Sequence, residues 1–307
     1  FYTELLSAGL LRPLDCHIEG LQHKEGNKDY VTPLGTSSVV KHFLSESGAD
    51  LYLEYHVTGL YYRGGSWEVE RNGGSEKFDA VILTMPVPQI LQLQGDLGNC
   101  KTLTNNQKQN QINMFGENEI DGILQVLNVD ELKYLGSTIQ REQLEGVRYS
   151  SRFAIALFFS PEVVFSFTWG ARYVTDSHCI RYIAVDNKKR SIDAPGLGPS
   201  LVVHTSVPFG LENLEIEKNA IQPIILQELH RLLPDLPQPI SIKSQKWRYS
   251  QVLTSVPNCP GHMTILEQPL LICGGDAFTH SNFDGCVESA LSVLRAFKVS
   301  LDIQKNA

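Results

Sequence analysis

The residues best placed to do chemistry lie near the end of the chain, where Leu271-Ile-Cys-Gly-Gly-Asp276 runs into a polar loop and then into Asp284-Gly-Cys286. The apolar Pro269–Cys273 stretch predicts a short buried strand and Gly274–Gly275–Asp276 a sharp turn. Asp284–Lys298 predicts a helix with Val287, Leu291 and Leu294 on one face. Unpaired N–H groups of Gly285 and Cys286 at the positive end of that helix would favour electron-rich oxygens. Gly275 would permit a close backbone approach, and Asp276 would accept hydrogen bonds from hydroxyls. Such an edge suits an extended, partly anionic ligand. The competing reading is an ordinary strand–loop–helix connection with Asp284 as the N-cap.

Composition bounds what that edge belongs to. The 307 residues carry 26 basic and 34 acidic side chains, net −8 with histidines neutral, and are 42% hydrophobic and 20% charged. A chain of this kind buries a sizeable core in one or two domains and is neither disordered nor fibrous. The acidic balance argues against a nucleic-acid partner, and the one compact basic run, Lys188–Lys189–Arg190, reads as a solvated loop. No apolar run approaches the roughly 20 residues that cross a bilayer, and the first residues lack a signal-peptide pattern, so no membrane partner is expected. The chain starts with Phe1 rather than Met, so its numbering is expected to begin inside a longer protein. Six scattered cysteines show no zinc spacing and read as buried free thiols, with no metal expected. Together with the absence of N-x-[ST], they suit the cytosol.

The elements that must position the edge come next. Ser37–Ser47 has helical spacing with Gly48 as its stop. Leu51–Val57 alternates like a strand, Trp67–Glu70 like another, and Gly64–Gly65 suits a turn between them. Phe78–Thr84 is a continuous apolar run of the kind seen in strands covered on both faces, ended by Met85-Pro-Val-Pro88. Residues 98–137, rich in Asn and Gln and then acidic, read as a flexible insertion. Arg152–Phe159, Ala171–Thr175, Arg181–Val185 and Leu201–Ser206 predict a mostly antiparallel sheet. Gln222–Leu233 predicts a helix with Pro223 in its first turn.

Gly274-Gly-Asp276 followed by Asp284-Gly-Cys-Val-Glu-Ser-Ala290 resembles the C-terminal flavin signature of the flavin amine-oxidase and hydroxybenzoate-hydroxylase-like superfamily. Phe1–Leu6, Leu83–Pro88, Asp186–Arg190, His204–Gly210, Lys246–Arg248 and Ser281–Gly285 extend the likeness to the renalase family, over nearly the whole chain apart from 98–137. The resemblance implies an α/β chain, α+β overall. A discontinuous Rossmann-like FAD-binding domain would span 30–86 and 249–307, and an inserted antiparallel-sheet substrate domain 1–29 and 87–248. It implies non-covalent FAD and oxidation of the 2- and 6-dihydro isomers of NAD(P)H to NAD(P)+, with dioxygen taking the electrons and leaving as hydrogen peroxide.

By the same carry-over Thr84, Gly275, Asp276, Phe283, Asp284, Gly285 and Cys286 would contact the cofactor. Asp276 would meet the ribitol–pyrophosphate region, the Gly285 and Cys286 N–H groups the pyrimidine edge, and the Val57 backbone the adenine. Tyr173 and Trp247 would stack on the nicotinamide, His204 would face the substrate, and Arg181 would meet a phosphate or carboxamide. Core packing, a structural histidine and a strand-edge ion pair are the competing roles. Hydride transfer to a cofactor asks for positioning more than acid–base work, so no catalytic residue is singled out. Cys286 at a helix N-terminus would have a lowered pKa. Secreted relatives leave the compartment open beside the cytosolic reading.

The superfamily opens with a strand, a G-x-G-x-x-G turn and a helix that cradle the pyrophosphate. This chain has none of them; Gly196-Leu-Gly198 is nearest and reads as a loop, because Pro199 follows it. The FAD-binding domain is therefore expected to be incomplete. A monoamine-oxidase-like flavoenzyme and a non-catalytic truncated binding or signalling protein are the alternatives. Oligomeric state and NADH versus NADPH preference stay open.

Overall fold

The computed structural model describes residues 1–22, 26, 28–96, 138–192 and 196–306. They divide into two compact units, Phe1–Leu51 with Ser150–Ser250 and Tyr52–Tyr149 with Gln251–Ala307.

The first unit is built on a six-stranded sheet in the order Ser241–Thr254, Arg148–Phe158, Ser200–Thr205, Ile180–Val185, Ala171–Tyr173, Ile18–Glu19. Period-2 alternation decides which residues it buries: Phe153, Ile155 and Leu157, with Leu201 and Val203 on the neighbouring strand, face the core. Helix Lys218–Leu232 brings Ile221, Ile225 and Leu229 onto the same core. Burying each such side chain contributes about 1.5–3 kcal/mol. This helix starts earlier than its apolar spacing suggests, so Pro223 stands in its interior rather than in its first turn. The Pro223 nitrogen has no proton for the helix ladder. The Lys188–Lys189–Arg190 run is not a loop: Asp186–Lys189 is a helical turn, Lys188 donates to the Phe167 carbonyl, and Arg190 pairs with Asp186.

The second unit holds two sheets. One has the order Gly74–Phe78, Ser66–Arg71, Val57–Arg63, Gln94–Gly95. The other runs His262–Glu267, Leu270–Gly274, Ala80–Leu83. Trp67 is fully buried and its Nε1–H donates to the Pro269 carbonyl at 3.0 Å. Leu51–Val57 is not a strand; the strand is Val57–Arg63. Glu54 adopts φ 63°, which breaks an extended run, and Tyr52, Leu53 and Tyr55 are left exposed. Ala80–Leu83 pairs in parallel with Leu270–Gly274 but stands at the edge of its sheet. Ile82 is 42% exposed, so the cover expected on both faces is not found among the described residues.

The division of the chain also differs from the expected one. Helix Ser37–Ser47, closed by Gly48 at φ 66° as expected, falls in the first unit. Val87, Ile90, Leu93, Leu144 and Val147 pack around Trp67 and so fall in the second. The expected 98–137 insertion lies outside the described residues. Among those described, no helix is long and apolar enough to cross a membrane, and no His/Cys/Asp/Glu cluster could hold a metal.

Candidate functional site

In the second unit, the parallel strands Ala80–Leu83 and Leu270–Gly274 pair Leu83 with Cys273, so they end side by side at Thr84 and Gly275. Ligands of open α/β sheets bind at such carboxyl ends. Gly275 adopts φ 120°, and a Cβ there would stand 3.4 Å from the Thr84 carbonyl oxygen. Only glycine adopts this backbone readily and keeps the gap between the strand ends open. Its N–H donates to the Ser289 hydroxyl at 2.8 Å, which in turn donates to the Gly261 carbonyl at 2.6 Å, anchoring the turn to helix Phe283–Asn306. Asp276 follows, its Oδ2 accepting the Ser281 hydroxyl at 2.7 Å. A half-buried carboxylate held this way beside an open strand end fits the hydroxyl-bearing chain of a dinucleotide. Thr84 is exposed at the same end, while Val57 opens a strand of the other sheet, paired with Arg71.

The helix start differs from the expectation. The Gly285 N–H donates to Asn282 Oδ1 at 2.8 Å and the Cys286 N–H to the Asn282 carbonyl at 3.1 Å. Asn282, not Asp284, is thus the capping residue, and the two N–H groups expected to be unpaired are taken within the chain. Gly285 has a structural reason as well: a Cβ would stand 2.0 Å from the His280 carbonyl oxygen. Phe283 is half-buried at the first turn and Asp284 is exposed. The Cys286 thiol is raised rather than lowered, first by desolvation and then by the Asp276 carboxylate.

In the first unit, one row of cross-strand pairs runs over the sheet face away from the core: Tyr173 opposite Tyr182, Tyr182 opposite His204, His204 opposite Ala154. The tyrosine rings lie 5.1 Å apart, and Tyr182 meets His204 edge-on at 6.0 Å and 88°. Lys189 Nζ stands 5.9 Å over the Tyr182 ring. Desolvation, then the charges of Arg152 and Lys189, hold His204 below its usual pKa, so it is neutral at neutral pH. Burial pushes the Tyr182 hydroxyl well above the usual tyrosine range. Beside His204 the face opens into a concavity of about 760 Å³ whose lining includes Ala154, Ala156, Val202 and the half-exposed Trp247. That volume lies within the range of small-molecule sites. Arg181 occupies a β-bulge between Ile180 and Tyr182 and donates to the Val174 carbonyl at 3.1 Å; among the described residues it forms no ion pair.

Of the four residues singled out for substrate, Tyr173, His204 and Trp247 therefore share one face, with Arg181 at its end. Sequence reasoning missed Tyr182, Arg152 and Lys189 there, and Asn282 and Ser289 at the other site. Period-2 alternation across Arg152–Ala154–Ala156 carried a signal for the first group, but the register that aligns the strands is not local.

No family model matches the chain. It is 44% identical over 299 residues to renalase of mouse (Mus musculus), covering 97% of this chain and 77% of the relative. A putrescine oxidase structure matches at a TM-score of 0.58 and 12% identity, over 91% of this chain and 54% of that one. Cyclohexylamine oxidase from Brevibacterium oxydans matches at 0.54 and 9% identity, over 88% and 53%. The chain thus spans about half the length of the solved structures it resembles, which shows the shared fold. The α/β fold with its several sheets, the strand-end turn at Gly275–Asp276 and the identity to mouse renalase agree, and the chain belongs to the renalase family of flavin-dependent oxidoreductases.

Proposed function

We propose that the chain carries the activity of an FAD-dependent oxidase acting on 2- and 6-dihydro isomers of NAD(P)H, giving NAD(P)+ and, from dioxygen, hydrogen peroxide. The observation that carries this reading is the 44% identity to mouse renalase along 97% of the chain. The bound, non-covalently held flavin would supply two-electron chemistry with dioxygen as the acceptor.

The residues that would hold it are Thr84, Gly275 and Asp276. Gly275 keeps the strand end clear, and Asp276, oriented by Ser281, accepts hydroxyls of the cofactor chain. On the sheet face of the first unit, Tyr173 and Trp247 present ring surface to a planar substrate, and neutral His204 leaves the face free of an added proton. A hydride donor needs orientation and dryness rather than a general base, and this face supplies aromatic walls without a carboxylate in the Tyr173–Tyr182–His204 row.

The test is direct. The chain is incubated with FAD, passed over a gel-filtration column and scanned for flavin absorbance, then assayed for peroxide with the 2- and 6-dihydro isomers. Co-eluting flavin and isomer-dependent peroxide are expected. A flavin-loaded protein that releases no peroxide with either isomer refutes the substrate assignment, and a colourless protein refutes cofactor retention by this chain.

A further inference from the structure

The loop between the Gly275–Asp276 turn and helix Phe283–Asn306 divides its side chains between two tasks. Three of them tie the loop to the helix. Thr279 Oγ1 donates to the Gly285 carbonyl at 2.8 Å, Asn282 Oδ1 accepts the Gly285 N–H at 2.8 Å, and His280 Nδ1 stands 4.0 Å from Glu288 Oε2. Ser281 turns the other way. Its Oγ accepts the Val252 N–H at 2.9 Å, from strand Ser241–Thr254, and donates to Asp276 Oδ2 at 2.7 Å. A backbone N–H can only donate, so the one hydroxyl proton of Ser281 is left for Asp276. Hydrogen bonds aligned head to tail in this way polarise and strengthen one another. The strand thus fixes the serine, and the serine fixes one oxygen of the carboxylate. Among the described residues the other oxygen, Oδ1, has no hydrogen-bond partner.

We propose that Ser281 is a positioning residue for the cofactor: relaying the hold of the Val252 N–H, it locks Asp276 through Oδ2 and keeps Oδ1 ready for a hydroxyl of the flavin's chain. A carboxylate without this hold samples several rotamers, and ordering such a side chain at the moment of binding weakens affinity about three- to tenfold. Ser281 therefore raises cofactor affinity without needing to touch the cofactor. The loop does not depend on it for its attachment, because Thr279 and Asn282 bind the helix start independently. The inference deepens the flavin reading above and rests on it for the identity of the ligand.

A double-mutant cycle on the full chain separates positioning from a general structural role. FAD is titrated with wild type, S281A, D276A and the double variant, and the quenching of flavin fluorescence gives each affinity. Thermal unfolding of the ligand-free proteins is recorded alongside. S281A is expected to bind FAD about three- to tenfold more weakly than the wild type. In the D276A background the same substitution should change affinity by less than about twofold, because there is no carboxylate left to orient. A Tm shift common to both backgrounds reports the lost Val252 bond and does not follow the affinity. Equal weakening by S281A in both backgrounds, or no weakening in the first, overturns the proposal while leaving the flavin reading intact. A wild type that does not quench FAD overturns both, so the two failures are told apart.

Discussion

Replacing Gly285 by alanine separates a glycine required by packing from one required by a ligand. The new Cβ would stand 2.0 Å from the His280 carbonyl oxygen, 2.9 Å from its carbon and 3.0 Å from Thr279 Oγ1. Comfortable contact begins near 3.5 Å, so the helix start or the loop must move by roughly 1.5 Å. Neither side yields freely. The His280 carbonyl accepts the Asn282 N–H at 2.9 Å, and Thr279 Oγ1 donates to the Gly285 carbonyl at 2.8 Å. Overpacking of this kind costs about 1–3 kcal/mol, and disturbing the Asn282 cap about 1 more. The better helix propensity of alanine returns about 1 kcal/mol. The net is about 1–3 kcal/mol of destabilisation, or roughly 3–10 °C in Tm for a chain of this size. Thermal unfolding followed by circular dichroism, without any ligand, measures it. Gly146→Ala is the control, since its Cβ would meet only the Gln143 and Glu142 carbonyl oxygens at 3.4 and 3.5 Å, and it should stay within about 0.5 kcal/mol of the wild type. If G285A melts within 1 °C of G146A, the packing argument is wrong.

Two further outcomes follow from the same structure. His204 and His262 both have lowered pKa values, the first from desolvation and then Arg152 and Lys189, the second from burial. Below about pH 6.5 the unfolded chain binds protons that these folded rings refuse, so their contribution is intact above that pH and stability declines as pH falls through the window towards the folded values. H204Q should therefore lose less Tm than the wild type between about pH 7.5 and 5.5, and an equal loss would count against the assignment. Trp67→Phe keeps most of the core volume but leaves the Pro269 carbonyl without its donor, an expected cost of about 1–3 kcal/mol, whereas Trp67→Ala adds a cavity and should cost about 3–5. Urea unfolding measures both, and equal midpoints for the two variants would contradict the cavity argument.

Local spacing was enough for the elements whose cause is local. The Ser37–Ser47 helix with its Gly48 stop, the Gly64–Gly65 turn, the alternating strands at 148–158 and 200–205, and the strand–turn–helix around Gly274–Asp276 all follow from periodicity and glycine chemistry within a few residues. The family likeness at that turn was legible for the same reason, because the residues of the signature are contiguous. The errors fall where competition between partners decides. Asp284 and Asn282 are both good N-caps, and only the close approach of the helix to His280 selects Asn282. Leu51–Val57 alternates like a strand, yet Glu54 turns the chain. An apolar run such as Phe78–Thr84 reads alike whether its strand is central or at an edge, since hydrophobicity records affinity for a partner and not whether one is present.

What the sequence by itself determined, then, was the local conformation of the elements whose cause is local and the contiguous strand–turn–helix signature around Gly274–Asp276. Tertiary structure alone decided which of them meet. Tyr173, Tyr182, His204 and Arg152 are spread over 53 positions of the chain and converge because antiparallel register places them on one face, a relation set by long-range strand pairing and core burial.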